Sequence, residues 1–407
     1  MKLINKEGID IIIEQNKKTP RAAVSLYFVI KNPEKYAGVY TLLSKLLFQG
    51  THEKSAEKLA QDLENNGIEM GARYKQNFLR VSSLSLNEDL PLALDIMSDI
   101  LQNSTLEEFD KEVFKTKGEI ISELDNPKVK LMDSFVREMF KGHFYGNSYT
   151  KILEDIDNIK KDDIKDALDE LLNSKKVLVF SGDYENEEEI VNLLSMKLPF
   201  MKNYEFKNEI PYLSEIKESK IVKIPKDDVE QAQIIQGWCA DSITSEDYPK
   251  ISVMNNILGA SGLSSRLFYE LRDKLGLAYH VRSSYEVSDI GGVLSIYIAT
   301  SPHNIKKCLE GFQVEIKRMQ DEFVTDEELQ GGKENVLGKI EYFSQTNLQR
   351  ANSFGYDWIM GLGINYDEKY RELINSVTKE DVMEMARKYF TDKSIIIVLA
   401  PEKFLQF

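Results

Sequence analysis

IDNIKKDDIKDALDELLNSKKVLVFSG, residues 156–182, has a counterpart later in the chain, INSVTKEDVMEMARKYFTDKSIIIVLA, residues 374–400. The two align without a gap at an offset of 374 − 156 = 218. Each reads as a lead-in, a Lys-Asp/Glu-Asp helix start, an amphipathic helix and an apolar strand of Val, Ile and Leu. A second pair, TLEEFDKEVFKTKGEI from Thr105 and TDEELQGGKENVLGKI from Thr325, aligns at 325 − 105 = 220. One match could arise because amphipathic helix–strand units resemble one another. Two matches in order at nearly one offset imply two homologous halves.

The expected boundaries are therefore 1–201 for the first domain, 202–220 for a linker and 221–407 for the second. The linker, KNYEFKNEIPYLSEIKESK, is polar, holds a Pro and shows no sustained period. In the first half, patterning predicts strands around Asp10–Glu14, Ala22–Ile30, Glu69–Tyr74 and Phe78–Leu86. Helices are expected over Tyr36–Phe48, Ser55–Asn65, Leu90–Leu101 and Glu107–Glu123. Strands in runs separated by helices suggest an α+β fold, each domain an antiparallel sheet with helices mainly on one face.

Bulk properties bound the function. The chain has 407 residues, 42% of them apolar and 29% charged, enough for two ordinary domains. A net charge of −15 argues against nucleic acid or an anionic membrane as partner. No apolar run is long enough to span a bilayer, and MKLINKEGIDIII reads as a β-hairpin rather than a signal peptide, so a cytoplasmic protein is expected. Two distant cysteines, Cys239 and Cys308, allow a single disulfide but are better read as two buried thiols. Four scattered histidines, His52, His143, His280 and His303, offer no i, i+4 pair for a metal.

The family resemblance rests on longer strings. LLFQGT (Leu46–Thr51), followed by the helix SAEKLAQDLENNG and a strand pair, resembles the zinc-binding half of the pitrilysin and insulinase superfamily. These are the inverted zincins, which include the mitochondrial processing peptidase. The most specific match is ILGASGLSSRLFYELRDKLGLAYHVRSSYEV, Ile257–Val287, followed by GGVLSIYIAT. The resemblance extends over nearly the whole chain.

It implies that active members carry H-x-x-E-H on the first helix, with two histidines on zinc, a glutamate activating water and a later glutamate completing the site. Anchored on F-x-G-T, these positions fall here on Thr41, Ser44 and Lys45. None replaces its counterpart: hydroxyls are weak ligands, Ser44 is no carboxylate base, and the Lys45 ammonium repels a divalent cation. The distal position falls on Glu119 in GEIISELDNP. Two readings of Glu119 stand: a solvated helix residue, or a partner for Lys45 in the metal's place. A separation beyond about 6 Å would rule out the pair. A further departure is Gly71-Ala72, where active relatives have Asn-Ala on a strand that takes substrate by β-addition.

From the second half, active members contribute an arginine and a tyrosine seven apart, which grip the substrate and stabilise the oxyanion. Arg272 and Tyr279 match in type and spacing. A guanidinium and a phenol both donate to an oxygen gaining charge. The same two residues would also serve as ordinary elements of a helix end and a strand start. GASGLSS (Gly259–Ser265) reads as a helix-connecting turn, His280 as a strand residue and His143 as structural.

The resemblance therefore implies a non-catalytic subunit of a two-subunit zinc endopeptidase. It would bind no cofactor itself, and zinc and H-x-x-E-H would belong to a homologous catalytic partner. Arg272 and Tyr279 would act on peptide substrates in that partner's site. The alternative is an inert scaffold or peptide-binding protein resembling respiratory-complex core subunits. Homodimerisation stays open at this stage.

Overall fold

A computed structural model describes residues 1–30, 32–202 and 210–407, so part of the expected linker lies outside the described residues. These divide into two compact units. The first comprises Met1–Ile120, Thr150–Ile210 and Tyr342–Ile364, and the second Ile121–Tyr149, Pro211–Glu341 and Asn365–Phe407.

The first unit is built on β1 (Lys2–Lys6), β2 (Ile9–Gln15), β3 (Arg21–Val29), β4 (Glu69–Lys75), β5 (Phe78–Leu86) and β6 (Lys176–Gly182). Their order in the sheet is β1-β2-β6-β3-β5-β4. The β1–β2 hairpin turns through Glu7 and Gly8, both at positive φ, the backbone that a tight hairpin demands. The second unit is built on β7 (Lys220–Pro225), β8 (Ala232–Ala240), β9 (Ala278–Ser288), β10 (Gly291–Thr300) and β11 (Ile395–Ala400), in the order β7-β11-β8-β10-β9. Without β1, the two orders superimpose strand for strand. The repeated segments end in β6 and β11, which fill equivalent slots: each runs parallel to one neighbour and antiparallel to the other.

This is the two-domain α+β fold expected, with one difference in the sheets. Each contains one parallel pair, β2–β6 and β7–β11. The repeat's last strand returns after a helical crossover and inserts inside the sheet instead of adding at its edge. Its side chains are accordingly buried along almost its whole length.

The second difference concerns the helices. Those over Val39–Leu46, Leu90–Gln102 and Lys161–Leu172 pack on the first sheet, and those over Tyr248–Asn255, Ile305–Asp321 and Lys379–Tyr389 on the second. The remaining face of each sheet is also covered, by one helix drawn from the other half of the sequence. Helix Asn347–Ile359 lies on β3 and β6, and helix Pro127–Met139 lies on β8 and β11.

These two helices are themselves repeat-equivalent, and their contacts are reciprocal. Gly355 packs so closely on Tyr27 that an added Cβ would sit 2.4 Å from the ring. In the other unit Phe135 lies on Gly237, where an added Cβ would sit 2.3 Å from the ring. Phe135 and Gly355 differ by 355 − 135 = 220, the offset of the preceding helices. Tyr27 pairs with Val177 and Gly237 with Ile395, and 395 − 177 = 218. At one and the same place, one unit puts the aromatic ring on the strand and glycine on the helix, and the other reverses them. Each solution fills the space once, as dense packing requires. Polar contacts fix the first helix in register: the Arg350 guanidinium pairs with Glu14, and Tyr27 donates to the Asn352 carbonyl at 2.7 Å.

Candidate functional site

Helix Val39–Leu46 turns Val39, Tyr40, Leu42, Leu43 and Leu46 into the core. The 3.6-residue period then leaves Thr41, Ser44 and Lys45 together on the opposite, half-buried face. Ser44 is already committed, its hydroxyl donating to the Thr41 carbonyl at 2.8 Å. Lys45 reaches across to helix Phe109–Asp125. There Glu112, Thr116 and Glu119 line one face at i, i+4 and i+7.

The Lys45 ammonium is ringed by that face. Its Nζ lies 2.5 Å from Glu119 Oε2, 2.8 Å from Thr116 Oγ1 and 3.4 Å from Glu112 Oε1. An ammonium has three donors, and three acceptors surround it. The pairing with Glu119, one of the two alternatives open from sequence, is therefore the one adopted. The hydrogen bond from Lys45 holds the Glu119 carboxyl below its usual range, even though that side chain stays half exposed. Glu112 is the partner that sequence reading missed. Its side chain is only 5% exposed, so it needs a cation nearby. The i, i+4, i+7 spacing to Glu119 was the available signal.

Zinc does not fit this arrangement. Its sites are built from imidazole, thiolate and carboxylate in a tight tetrahedron. Here the cation position between the carboxylates is held by Lys45, the neighbouring side chains are hydroxyls, and no imidazole converges. Among the described residues no group of three His, Cys, Asp or Glu side chains could hold a metal.

The second candidate pair lies in the other unit. The chain before β9 winds into a π-helix over Phe268–Lys274, closed by a bond from Leu275 N to Glu270 O at 3.1 Å. Such wide turns are rare and recur at functional sites. Buried Leu267, Phe268 and Leu271 anchor the segment, and Gly276 at φ +59° turns it into β9. Arg272 is half-buried, its guanidinium 4.3 Å from the Phe268 ring centroid and 5.0 Å from that of Tyr279. The nearby carboxylate, Glu270, is claimed by Lys274 at 2.8 Å and by Arg318 at 3.3 Å. Among the described residues Arg272 has no carboxylate partner.

Tyr279 owes its position to a β-bulge. His280 pairs with Ala299 and Ala278 with Thr300, which leaves Tyr279 as the extra residue. The bulge turns both Tyr279 and His280 outward, so that Tyr279 is 79% exposed with its hydroxyl free to donate. The structure thus brings Arg272 and Tyr279 together, as it does Lys45 and Glu119.

The other sequence readings can be placed. Gly71 and Ala72 lie on β4, the edge strand of the first sheet. Gly259–Ser265 joins the end of one π-helical turn, Asn256–Ala260, to the approach of the next. His143 caps a 3-10 turn through the Tyr145 N–H at 3.1 Å and contacts the Pro211 carbonyl at 3.2 Å. Burial pushes its imidazole below the usual range. Cys239 and Cys308 are free thiols. Among the described residues no helix is long and apolar enough to cross a membrane.

Comparison with known proteins identifies the family and the fold. The family model for insulinase-type peptidases, family M16, matches residues 10–153, and that for the M16 inactive domain matches residues 158–336. A Bacillus subtilis protein described as an uncharacterized zinc protease, YmxG, is 24% identical over 97% of each chain. A Helicobacter pylori protein described as a non-peptidase homolog, also YmxG, is 25% identical over 94% of this chain and 88% of its own. In fold, the chain is similar to a crystal structure described as a peptidase M16 inactive domain from Pseudomonas fluorescens. The TM-score is 0.90, with 19% identity and 98% of each chain covered. A protease from Helicobacter pylori superimposes with a TM-score of 0.88 at 19% identity, over 98% of this chain and 99% of that one. With models of this one family matching residues 10–153 and 158–336, the chain belongs to family M16.

Proposed function

We propose that this chain is the non-catalytic subunit of a two-subunit zinc endopeptidase. Its role is to lend Arg272 and Tyr279 to peptide bound at a partner's zinc. The observation that carries this reading is the contrast in commitment between the two sites. Lys45 closes the position where a relative would hold metal, whereas Arg272 and Tyr279 are oriented by a π-turn and a bulge without a carboxylate or hydrogen-bond partner among the described residues, Tyr279 open to solvent and Arg272 half-buried beside it. A guanidinium and a phenol held in place beforehand stabilise a developing oxyanion without reorganising during reaction. The non-peptidase designation of one relative is consistent with a chain that cleaves nothing alone.

The test begins with affinity purification of the tagged chain from its native cells. A near-stoichiometric partner of similar size bearing H-x-x-E-H is expected, with peptide cleavage by the pair and by neither chain alone. Recovery of the chain without such a partner would instead favour an inert scaffold, in which Arg272 tolerates replacement.

A further inference from the structure

The outward end of β9 gathers an unusual set of charges for a chain with 67 acidic and 52 basic residues. His280 and Arg282 project from the same face of this edge strand, beyond the bulge that exposes Tyr279. Arg272 stacks on Tyr279, while Lys128, at the start of helix Pro127–Met139, lies 5.1 Å above the Tyr297 ring. The His280 ring lies 5.6 Å from that same Tyr297 ring, so the group is contiguous. Among the described residues, none of the four side chains meets a carboxylate; their partners are aromatic rings and one another. The mutual repulsion is visible in their acidities. Burial and then the Lys128, Arg282 and Arg272 charges hold His280 below its usual range. Burial and then Arg282 do the same to Lys128.

Packing cations together without counter-charge is costly unless a ligand supplies it. An edge strand presents unpaired backbone N–H and C=O groups, to which an extended peptide can add. We infer that this end of β9 is a docking site for an extended peptide carrying Asp or Glu side chains, whose carboxylates pair with Arg272, Arg282 and Lys128. The inference rests on the peptide-gripping part of the function proposed above and adds the class of peptide preferred. A polyanion such as nucleic acid is the less suitable occupant, because a patch of three cations on a chain of net charge −15 cannot offset its long-range repulsion.

The test uses the full chain and fluorescein-labelled, C-terminally amidated decapeptides. One carries three Glu; its match has Gln at those positions. Anisotropy at about 50 mM salt should show the acidic peptide binding roughly tenfold tighter, with the advantage shrinking as salt rises. Reversing the remote cations, in K128E/R282E, should remove the advantage while thermal unfolding confirms that the fold is kept. If that variant fails to fold, R282Q alone should lower it by several-fold. Equal binding of both peptides would overturn the acidic preference and leave the subunit reading standing. Binding of neither, or displacement of the acidic peptide by an oligonucleotide at equal charge concentration, would also overturn it. The subunit reading is decided separately, by co-purification and cleavage.

Discussion

Lys45 and Arg272 are both cations at the positions where family resemblance places chemistry, and their surroundings differ in kind. Lys45 is enclosed by two carboxylates and a hydroxyl from one helix face. Arg272 lies between two aromatic rings, while Glu270 of the same turn is engaged by Lys274 and Arg318. A cation ringed by acceptors of its own chain holds that chain together. One that is positioned but unsatisfied retains its capacity for something arriving from outside. The lesson is that the residue type at a motif position says less about function than whether its partners are internal.

The largest effect that could break this contrast is on turnover. In a purified two-subunit complex, R272A should lower peptide cleavage by roughly 100-fold or more while its urea unfolding shifts by no more than about 0.5 kcal/mol. A large stability loss with unchanged turnover would reverse the roles assigned to the two cations. Next comes K45M, which takes from buried Glu112 its nearer cation and leaves it only the exposed Lys115, 4.0 Å away. It should cost about 1–3 kcal/mol in urea unfolding and leave cleavage by the complex unchanged. A smaller effect sharpens the cause: in K45M/E112Q/E119Q no charge is stranded, so most of that loss should return, to within about 1 kcal/mol of the natural chain. If the triple variant is as unstable as K45M, packing of the lysine stem and not charge is what matters.

The smallest effect is graded with pH. The folded Glu119 carboxyl is lowered from 4.5, so its pairing contributes fully above about pH 4.5 and is lost as pH falls through the lower folded value. The stability gap between the natural chain and K45M should therefore narrow on acidification, and urea midpoints measured from pH 7 to pH 3 would show it. A gap that widened in acid would contradict the pairing.

Much of the architecture was legible because it is periodic. The repeat from Ile156 to Gly182 predicted two alike domains, and patterning marked β3 and β5, the latter by alternation, within a residue or two of their ends. What lay beyond reading was the destination of helices Pro127–Met139 and Asn347–Ile359. An amphipathic face states that it will be buried, but not against which of two homologous sheets. The parallel pair in each sheet escaped for a similar reason, since an apolar strand fits a central slot in either direction. At the candidate site, Lys45, Glu119, Arg272 and Tyr279 were found through motif spacing. Glu112 lies outside the motif, and its i, i+7 relation to Glu119 marks a shared helix face without saying that the face is buried. The bulge at Tyr279 has no local composition signal, and the unpaired cations around it become visible only when strand β9 and the start of a distant helix are brought together.

The exchanged helices set a timetable for the chain as it is made. The sheet of the first unit is complete in sequence once Gly182 has emerged, yet one of its faces waits for Asn347–Ile359. More than 150 residues are synthesised in between, which at about 5–20 residues per second amounts to roughly 8 to 30 seconds. During that interval Tyr27, Val177 and Val179 lack their cover, a standing invitation to a chaperone or to a neighbouring nascent chain. Removing the C-terminal half would make that interval permanent. The protein is thus two units in space, but a single folding commitment in time.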